Sequence, residues 1–212
     1  MPIEFGKVRD EDWPAVRDLC CRTGDADRPI APERRGFFAG YWVDPYQRLR
    51  PGWSYAARRE GRLVGYLTGC PHTDSFRIWR SYQCRWPLFF RALLGGFPGS
   101  PDARSFVRRS LGRERDPESE FPLSLERVLR ERHPAHLHVN VEADLRGQGV
   151  GLRLMDLFFA DLRRDGIGGV HVICGEKPAG FYLRLGFTEL ARVCVREGAC
   201  LLALGRDARP LP

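Results

Sequence analysis

Apolar residues recur at helical spacing after residue 150. They stand three or four positions apart, as on one face of an amphipathic helix. The pattern predicts a helix from Gly151 to Arg163. Its apolar positions are Leu152, Met155, Phe158, Phe159 and Leu162.

Strand patterns lie on both sides of this helix. Apolar residues alternate in His136–Val141, where Leu137, Val139 and Val141 share one face. Further elements follow at short intervals, which predicts an α/β fold with a mixed sheet. These are a strand at Gly169–Ile173, a short helix at Pro178–Leu185, and a closing strand pair, Val193–Val195 with Cys200–Leu204, around Glu197-Gly198.

The N-terminal third begins with a strand pattern at Ile3–Arg9. Asp10 or Asp12 is suited to cap a helix that continues to about Cys21. A short aromatic segment, Phe37–Trp42, comes next. It is followed by a predicted β-hairpin, in which strands Trp53–Arg58 and Leu63–Gly69 are joined by the turn at residues 59–62.

The stretch from about residue 71 to 134 has mixed periodicity. We expect helices and loops here, inserted between the third and fourth strands of a single domain spanning residues 1–212, because long structureless loops are uncommon in compact domains. Ser124–Arg132 has the pattern of a capped helix. The aromatic residues of the insertion are expected to pack in the core or as a lid. They are Phe76, Trp79, Tyr82, Trp86, Phe89 and Phe90.

Charge and cysteine content narrow the class of protein. The net charge is +7, and Lys7 and Lys177 are the only lysines among 34 basic residues. An arginine-rich surface suits nucleic acid or an anionic cofactor, but no recognition motif supports nucleic acid. The seven cysteines form no C-x-x-C pair, so neither a disulfide framework nor a metal site is expected. No apolar run is long enough for a membrane span. We expect a cytoplasmic protein without membrane partners.

A glycine-rich turn separates the His136–Val141 strand from the long helix. It reads Arg146-Gly147-Gln148-Gly149-Val150-Gly151. Glycines permit tight turns and close approach of a ligand to the main chain. The free N–H groups and the dipole of a helix N-terminus attract anions. The turn is therefore a candidate pyrophosphate site.

Other glycine loops fit this turn less well. A P-loop requires Lys and Ser or Thr after its last glycine, where this chain has Leu152 and Arg153. The dinucleotide fingerprint fails because the third glycine comes one residue early. A glycine-rich turn with only a structural role is the remaining alternative.

Two motifs in this region together resemble those of one family. Residues Arg146-x-x-Gly149-x-Gly151 match the coenzyme A loop of the GNAT N-acetyltransferases, and residues 181–187, FYLRLGF, are similar to their F-Y-x-x-x-G-F helix. The resemblance implies a mostly antiparallel central sheet flanked by helices, and acetyl-CoA as the acetyl donor. It also implies a cofactor site, with main-chain groups on the pantetheine arm and the turn on the pyrophosphate. Its residues are Val139, Asn140, Val141, Arg146, Gly147, Gln148, Gly149, Val150, Gly151, Phe181 and Tyr182.

Acetyl transfer to an amine requires a proton donor for the leaving thiolate and a way to deprotonate the amine. Tyr182 is the candidate acid, since a phenol is protonated at neutral pH. Glu142 and His138 are candidate bases at the end of the strand and within it. The expected acceptor is a small-molecule amine or a peptide, and the expected assembly is a monomer or homodimer.

Departures from the family pattern leave an alternative open. Gly175 and Pro178 replace the Asn and Ala that relatives often have. The stretches 22–25 and 134–139 resemble bacterial GNATs related to the acetyltransferase-like domain of O-GlcNAcase, which tend to have Asp where Asn140 stands. The alternative is a catalytically weak or inactive module that binds coenzyme A or a protein.

Overall fold

The computed structural model describes residues 2–24, 28–113, 121–194 and 200–208. Seven strands in this part of the chain form one sheet in the order β1-β2-β3-β4-β5-β7-β6, in which β4 and β5 are the only parallel neighbours. The predicted fold class, mixed and mostly antiparallel, is confirmed. The strands are β1 (Ile3–Lys7), β2 (Ser54–Arg59), β3 (Arg62–Cys70), β4 (Ala135–Val141), β5 (Gly169–Gly175), β6 (Thr188–Cys194) and β7 (Cys200–Asp207).

Helices cover both faces of the sheet. Side chains of α8 and α9 build the core on one face, and those of α1 and α3 build the core on the other. The helices are α1 (Trp13–Thr23), α2 (Pro32–Trp42), α3 (Asp44–Leu49), α4 (Thr73–Arg80), α5 (Trp86–Leu93), α6 (Pro101–Ser110), α7 (Leu123–Arg132), α8 (Val150–Arg164) and α9 (Glu176–Arg184). In the described residues, no helix combines the length and apolar content needed to cross a membrane.

Helix α8 is the central helix of the fold. The predicted helix is confirmed, but Leu152 is 47% exposed whereas Leu154 is fully buried. Leu154 lies one turn from both Val150 and Phe158, so it shares their inward face. Phe158 packs so closely on β3 that a Cβ at Gly69 would lie 2.3 Å from its ring. This contact requires glycine in the strand.

One local prediction in the N-terminal third needs a correction. The aromatic segment, for which no element was predicted, lies in the helix α2 (Pro32–Trp42). Asp12 makes no side-chain capping bond to α1. Its carboxylate instead accepts hydrogen bonds from the Arg9 main chain and the buried Arg58 guanidinium. The requirement to pair a buried arginine therefore decides the role of Asp12.

The segment between β3 and β4 is helical as predicted and contains α4 to α7. A π-helical turn, Ser81–Arg85, joins α4 to α5 without a break. Helix α7 begins after Pro122 without the predicted side-chain cap. Core packing is confirmed for Phe76 and Phe89 only. The other four aromatics are about half exposed or more and do not pack in the core, so for them the expectation of a lid stays a prediction; they are Trp79, Tyr82, Trp86 and Phe90.

The closing hairpin holds a disulfide that the cysteine spacing did not predict. Cys194 and Cys200 are register partners on β6 and β7, and their sulfur atoms are bonded. The pair was missed because no spacing motif marks cysteines that meet across a hairpin. The predicted turn at Glu197-Gly198 and the adjoining Val195 lie outside the described residues, as does Asp25.

Candidate functional site

The glycine turn has a backbone that only glycine adopts readily. Gly147 has φ +77° and Gly149 has φ +81°, both in the left-handed region. A Cβ atom at either position would meet no other atom within 4 Å. The surface above the turn is therefore open to a ligand that approaches the main chain.

The N–H groups at the start of α8 indicate an anion-binding site. Among the described residues, no main-chain acceptor bonds to the N–H of Gly149, Val150 or Gly151. The first turn of α8 carries no acidic side chain, and Gly149 supplies no side-chain cap. Unpaired donors and the positive end of the helix dipole coincide here. A phosphate group would satisfy both.

Two side chains of the turn form hydrogen bonds that hold it to neighbouring main chain. The Nε of Arg146 donates to the Val141 carbonyl at 3.2 Å, and the amide of Gln148 donates to the Asp144 carbonyl at 2.7 Å. These bonds connect the turn to the end of β4 and to the single helical turn that follows it.

Strands β4 and β5 separate next to the glycine turn. They are in register only at Ala135 with Val170 and His136 with His171. Beyond these pairs β4 stays bonded to β3 and β5 stays bonded to β7. A wedge therefore opens between the two strands. The part of β4 that borders it includes the predicted pantetheine contacts Val139, Asn140 and Val141.

Helix α9 brings the candidate acid close to the turn. A Cβ at Gly151 would lie 3.1 Å from the ring of Phe181, so the first turn of α8 packs directly on α9. Tyr182 follows Phe181, and their ring centroids are 5.1 Å apart. Gly186, with φ +80°, follows the last residues of the helix, where the left-handed conformation favours glycine. The two motifs therefore meet in space.

Tyr182 has the protonation state that an acid requires. Its side chain is 5% exposed. Burial, with a smaller contribution from Cys174, raises the pKa of Tyr182 well above its ordinary value. The phenol therefore keeps its proton at neutral pH.

His138 lies on β4 in an aromatic cluster. Its ring centroid is 5.4 Å from that of Trp42 and 5.6 Å from that of Tyr46. Burial, followed by the charge of Arg80, lowers the pKa of His138 to about 4. The imidazole is therefore neutral at pH 7 and can accept a proton, although only weakly.

Glu142 is held in a buried ion pair. It is 5% exposed, and Arg62 binds its two oxygens at 2.7 and 2.8 Å. Arg22 lies 3.0 Å from it. Burial raises the pKa of Glu142, but the two arginines outweigh that effect and the pKa is lowered. Such a carboxylate is a poor base. The two arginines hold Glu142 at the end of β4.

Asn140 is also fixed by hydrogen bonds. Its amide nitrogen donates to the Tyr66 hydroxyl at 2.7 Å, and its amide oxygen accepts from the Thr23 hydroxyl at 3.0 Å. Gly175 precedes α9, and Pro178 lies in the first turn of that helix. Neither residue supplies a side-chain donor to the wedge.

Several neighbours of the site were not identified from the sequence. Trp42 and Tyr46 come from α2 and α3, about ninety residues before the histidine they surround. Thr23 ends α1, and its hydroxyl donates to Asn140 on β4. The only signal was the aromatic content of residues 37–46, and it does not specify a contact with β4.

The solved structures that match this chain cover nearly all of it. No protein-family model matches the chain. The solved structure of SsHAT is 28% identical, and the match covers 99% of this chain and 100% of that one with a TM-score of 0.74. Two others show the fold alone. The Drosophila melanogaster polyamine N-acetyltransferase is 16% identical, with 97% and 100% covered and a TM-score of 0.56. A GNAT-family acetyltransferase from Desulfovibrio desulfuricans is 15% identical, with 98% and 100% covered and a TM-score of 0.57. The predicted resemblance to the GNAT N-acetyltransferases is confirmed.

Proposed function

We propose that this GNAT-type acyltransferase binds acetyl-CoA in the wedge between β4 and β5 and transfers the acetyl group to an amine. One observation carries the proposal. A glycine turn with unpaired N–H groups, Gly149 to Gly151, lies where the wedge reaches the N-terminus of α8. The site thus offers donors for phosphate beside an opening that accepts an extended chain.

The residues present fit this cofactor. Residues 146–151 would hold the pyrophosphate, and main-chain groups of Val139, Asn140 and Val141 would pair with the pantetheine arm. Phe181 and Tyr182 would line the site from α9. Acetyl-CoA would supply the acetyl thioester.

The side chains divide the proton transfers between them. Tyr182 would hold its proton until the sulfur departs and then donate it. We propose His138 as the group that accepts the proton lost by the attacking amine, since it is neutral and borders the wedge on β4. Glu142 is left out of this mechanism because both of its oxygens are bound by arginine.

Thiol release from acetyl-CoA, measured across small amines and peptides, tests the proposal. Turnover with at least one amine, together with saturable acetyl-CoA binding by calorimetry, is the expected result. Failure to bind acetyl-CoA would overturn it.

A coenzyme A binding module without turnover is the second candidate. The observation that favours it is Asn140, whose amide is engaged on both sides and cannot act as a base. Tight acetyl-CoA binding with no thiol release on any acceptor would support this alternative.

A further inference from the structure

A line of exposed apolar side chains runs along the helix formed by α4, the π-helical turn and α5. Five of them are spaced by four residues, which places them on one side of a helix. Leu94 is 84% exposed and Tyr82 is 70% exposed. We call this set the apolar stripe. It consists of Ile78, Trp79, Tyr82, Trp86, Phe90, Leu93 and Leu94.

The stripe is unusual for the described part of the protein. Outside it, the exposed large hydrophobic residues are single and scattered, at Leu111, Leu152 and Leu183. The helix cannot rotate to bury the stripe, because Phe76 and Phe89 anchor its other side with 2% and 6% exposure. A contiguous exposed apolar surface of this kind marks a contact with another molecule.

The charges beside the stripe are mostly positive. Residues 75–101 contain four arginines and no acidic residue; the acidic neighbours are Asp74 on α4 and Glu126, which lies 3.8 Å from Arg77. The guanidinium side chain of Arg77 is 65% exposed, and Arg85 and Arg91 are also exposed. A shallow depression lined by Arg77, Tyr82 and Trp86 places a cation directly beside the aromatic rings. The partner therefore has an apolar surface bordered by negative charge.

We propose, in contrast to the expectation from the sequence of no membrane partner, that the apolar stripe docks the protein on an anionic lipid surface. Arginine with Trp, Phe and Leu on one helix is the composition of helices that lie in the membrane interface. Trp and Tyr favour the boundary between headgroups and acyl chains. A second copy of this chain would bring arginines against arginines in a symmetric contact. The proposal is independent of acetyl transfer.

Cosedimentation with vesicles tests the proposal on the full chain. The wild-type protein should bind phosphatidylcholine vesicles that contain phosphatidylglycerol, and bind pure phosphatidylcholine much less. Trp79→Ser with Trp86→Ser should lower the partition coefficient by roughly tenfold or more. Arg85→Gln with Arg91→Gln should lower it by about fivefold for each arginine.

Matched variants test whether the effects are specific to the stripe or follow from losing any exposed apolar residue or any positive charge. Leu111→Ser removes an exposed apolar residue elsewhere. Arg127→Gln with Arg132→Gln removes the same charge from α7, where both arginines are exposed. Both should bind vesicles like the wild type, and circular dichroism should be unchanged in all variants.

Three outcomes would overturn the proposal. The first is no binding of the wild-type protein to anionic vesicles, as expected if the stripe serves a protein. The second is undiminished binding by the Trp79 and Trp86 double variant. The third is a dimer in solution that only the stripe variants lose, without vesicle binding, which would identify a second copy as the occupant.

Discussion

Helix α8 and the helix formed by α4 and α5 are both rich in large apolar residues, yet their relations to the core differ. The apolar face of α8 is buried against the sheet, with Phe158 fully covered. In α4 and α5, Phe76 and Phe89 are buried while the apolar stripe points outward. Periodicity therefore identifies the apolar face of a helix but does not show whether that face is buried in the core or exposed.

The strongest test of this contrast compares two phenylalanines. Phe158→Ala removes a fully buried ring and should cost about 3–5 kcal/mol of unfolding free energy. Phe90→Ala removes a ring that is 54% exposed and should change it by less than about 0.5 kcal/mol. Urea denaturation of both variants measures the effect. Equal losses would mean that the stripe is buried in solution and that the contrast is wrong.

The unfolding free energy should fall in acid because of buried histidines in the sheet. Helices α4 and α5 contain no histidine and should not contribute to this loss. Burial lowers the pKa of His171 to about 4. The unfolded chain takes up this proton below its ordinary pKa of about 6.5, whereas the folded chain does so only near 4. Stability is therefore lost as the pH falls between these values, by up to about 3 kcal/mol for this residue.

The variant His171→Gln should lack that part of the pH dependence. Unfolding free energies measured from pH 8 to pH 4 should show a smaller loss than in the wild type. A variant with the full wild-type loss would show that His171 is not buried in its neutral form.

The next test compares the loss of a tyrosine hydroxyl at the proposed active site with the loss of one in the stripe. Tyr182→Phe should lower kcat by about a hundredfold with little change in acetyl-CoA affinity, because it removes the proposed proton donor. Tyr82→Phe is the matched control in the stripe and should leave kcat unchanged. Steady-state kinetics with an accepted amine measures both. Unaltered turnover in Tyr182→Phe would remove this residue from the mechanism.

Two glycines with similar backbones give the smallest expected difference. Gly149 and Gly95 have φ +81° and +80°, and a Cβ at either meets nothing within 4 Å. Substitution by Ala should cost each about 1–2 kcal/mol of stability. Only Gly149→Ala should weaken acetyl-CoA binding, by roughly tenfold, because its methyl group would stand where the phosphates approach. Equal affinities in calorimetry would contradict the placement of the cofactor.

The sequence was sufficient where the structure depends on neighbouring residues. The glycine turn, the hairpin of β2 and β3, and the ends of α8 and α9 follow from local rules, since positive φ and helical spacing leave direct marks on residue type. The fold class was also confirmed, but on two grounds: the order of elements predicted a mixed α/β sheet, and the family resemblance implied that this sheet is mostly antiparallel.

Long-range contacts were not predictable in this way. The burial of Glu142 by Arg62 and Arg22 joins residues eighty or more positions apart. No pattern in one sequence specifies such a pairing. The cysteine pair at the closing hairpin and the outward orientation of Trp79 and Trp86 depend likewise on how elements meet, which is decided by packing.

The short register between β4 and β5 makes the sheet a two-leaved structure. One leaf holds β1 to β4 and the other holds β5 to β7, joined edge to edge only near His136 and His171. Beyond this seam α8 rests on the first leaf and α9 on the second, and they touch where Phe181 meets Gly151. A molecule bound between the leaves would contact both and restrain their relative motion. Its binding is thus expected to slow amide hydrogen exchange in β4 and β5 together.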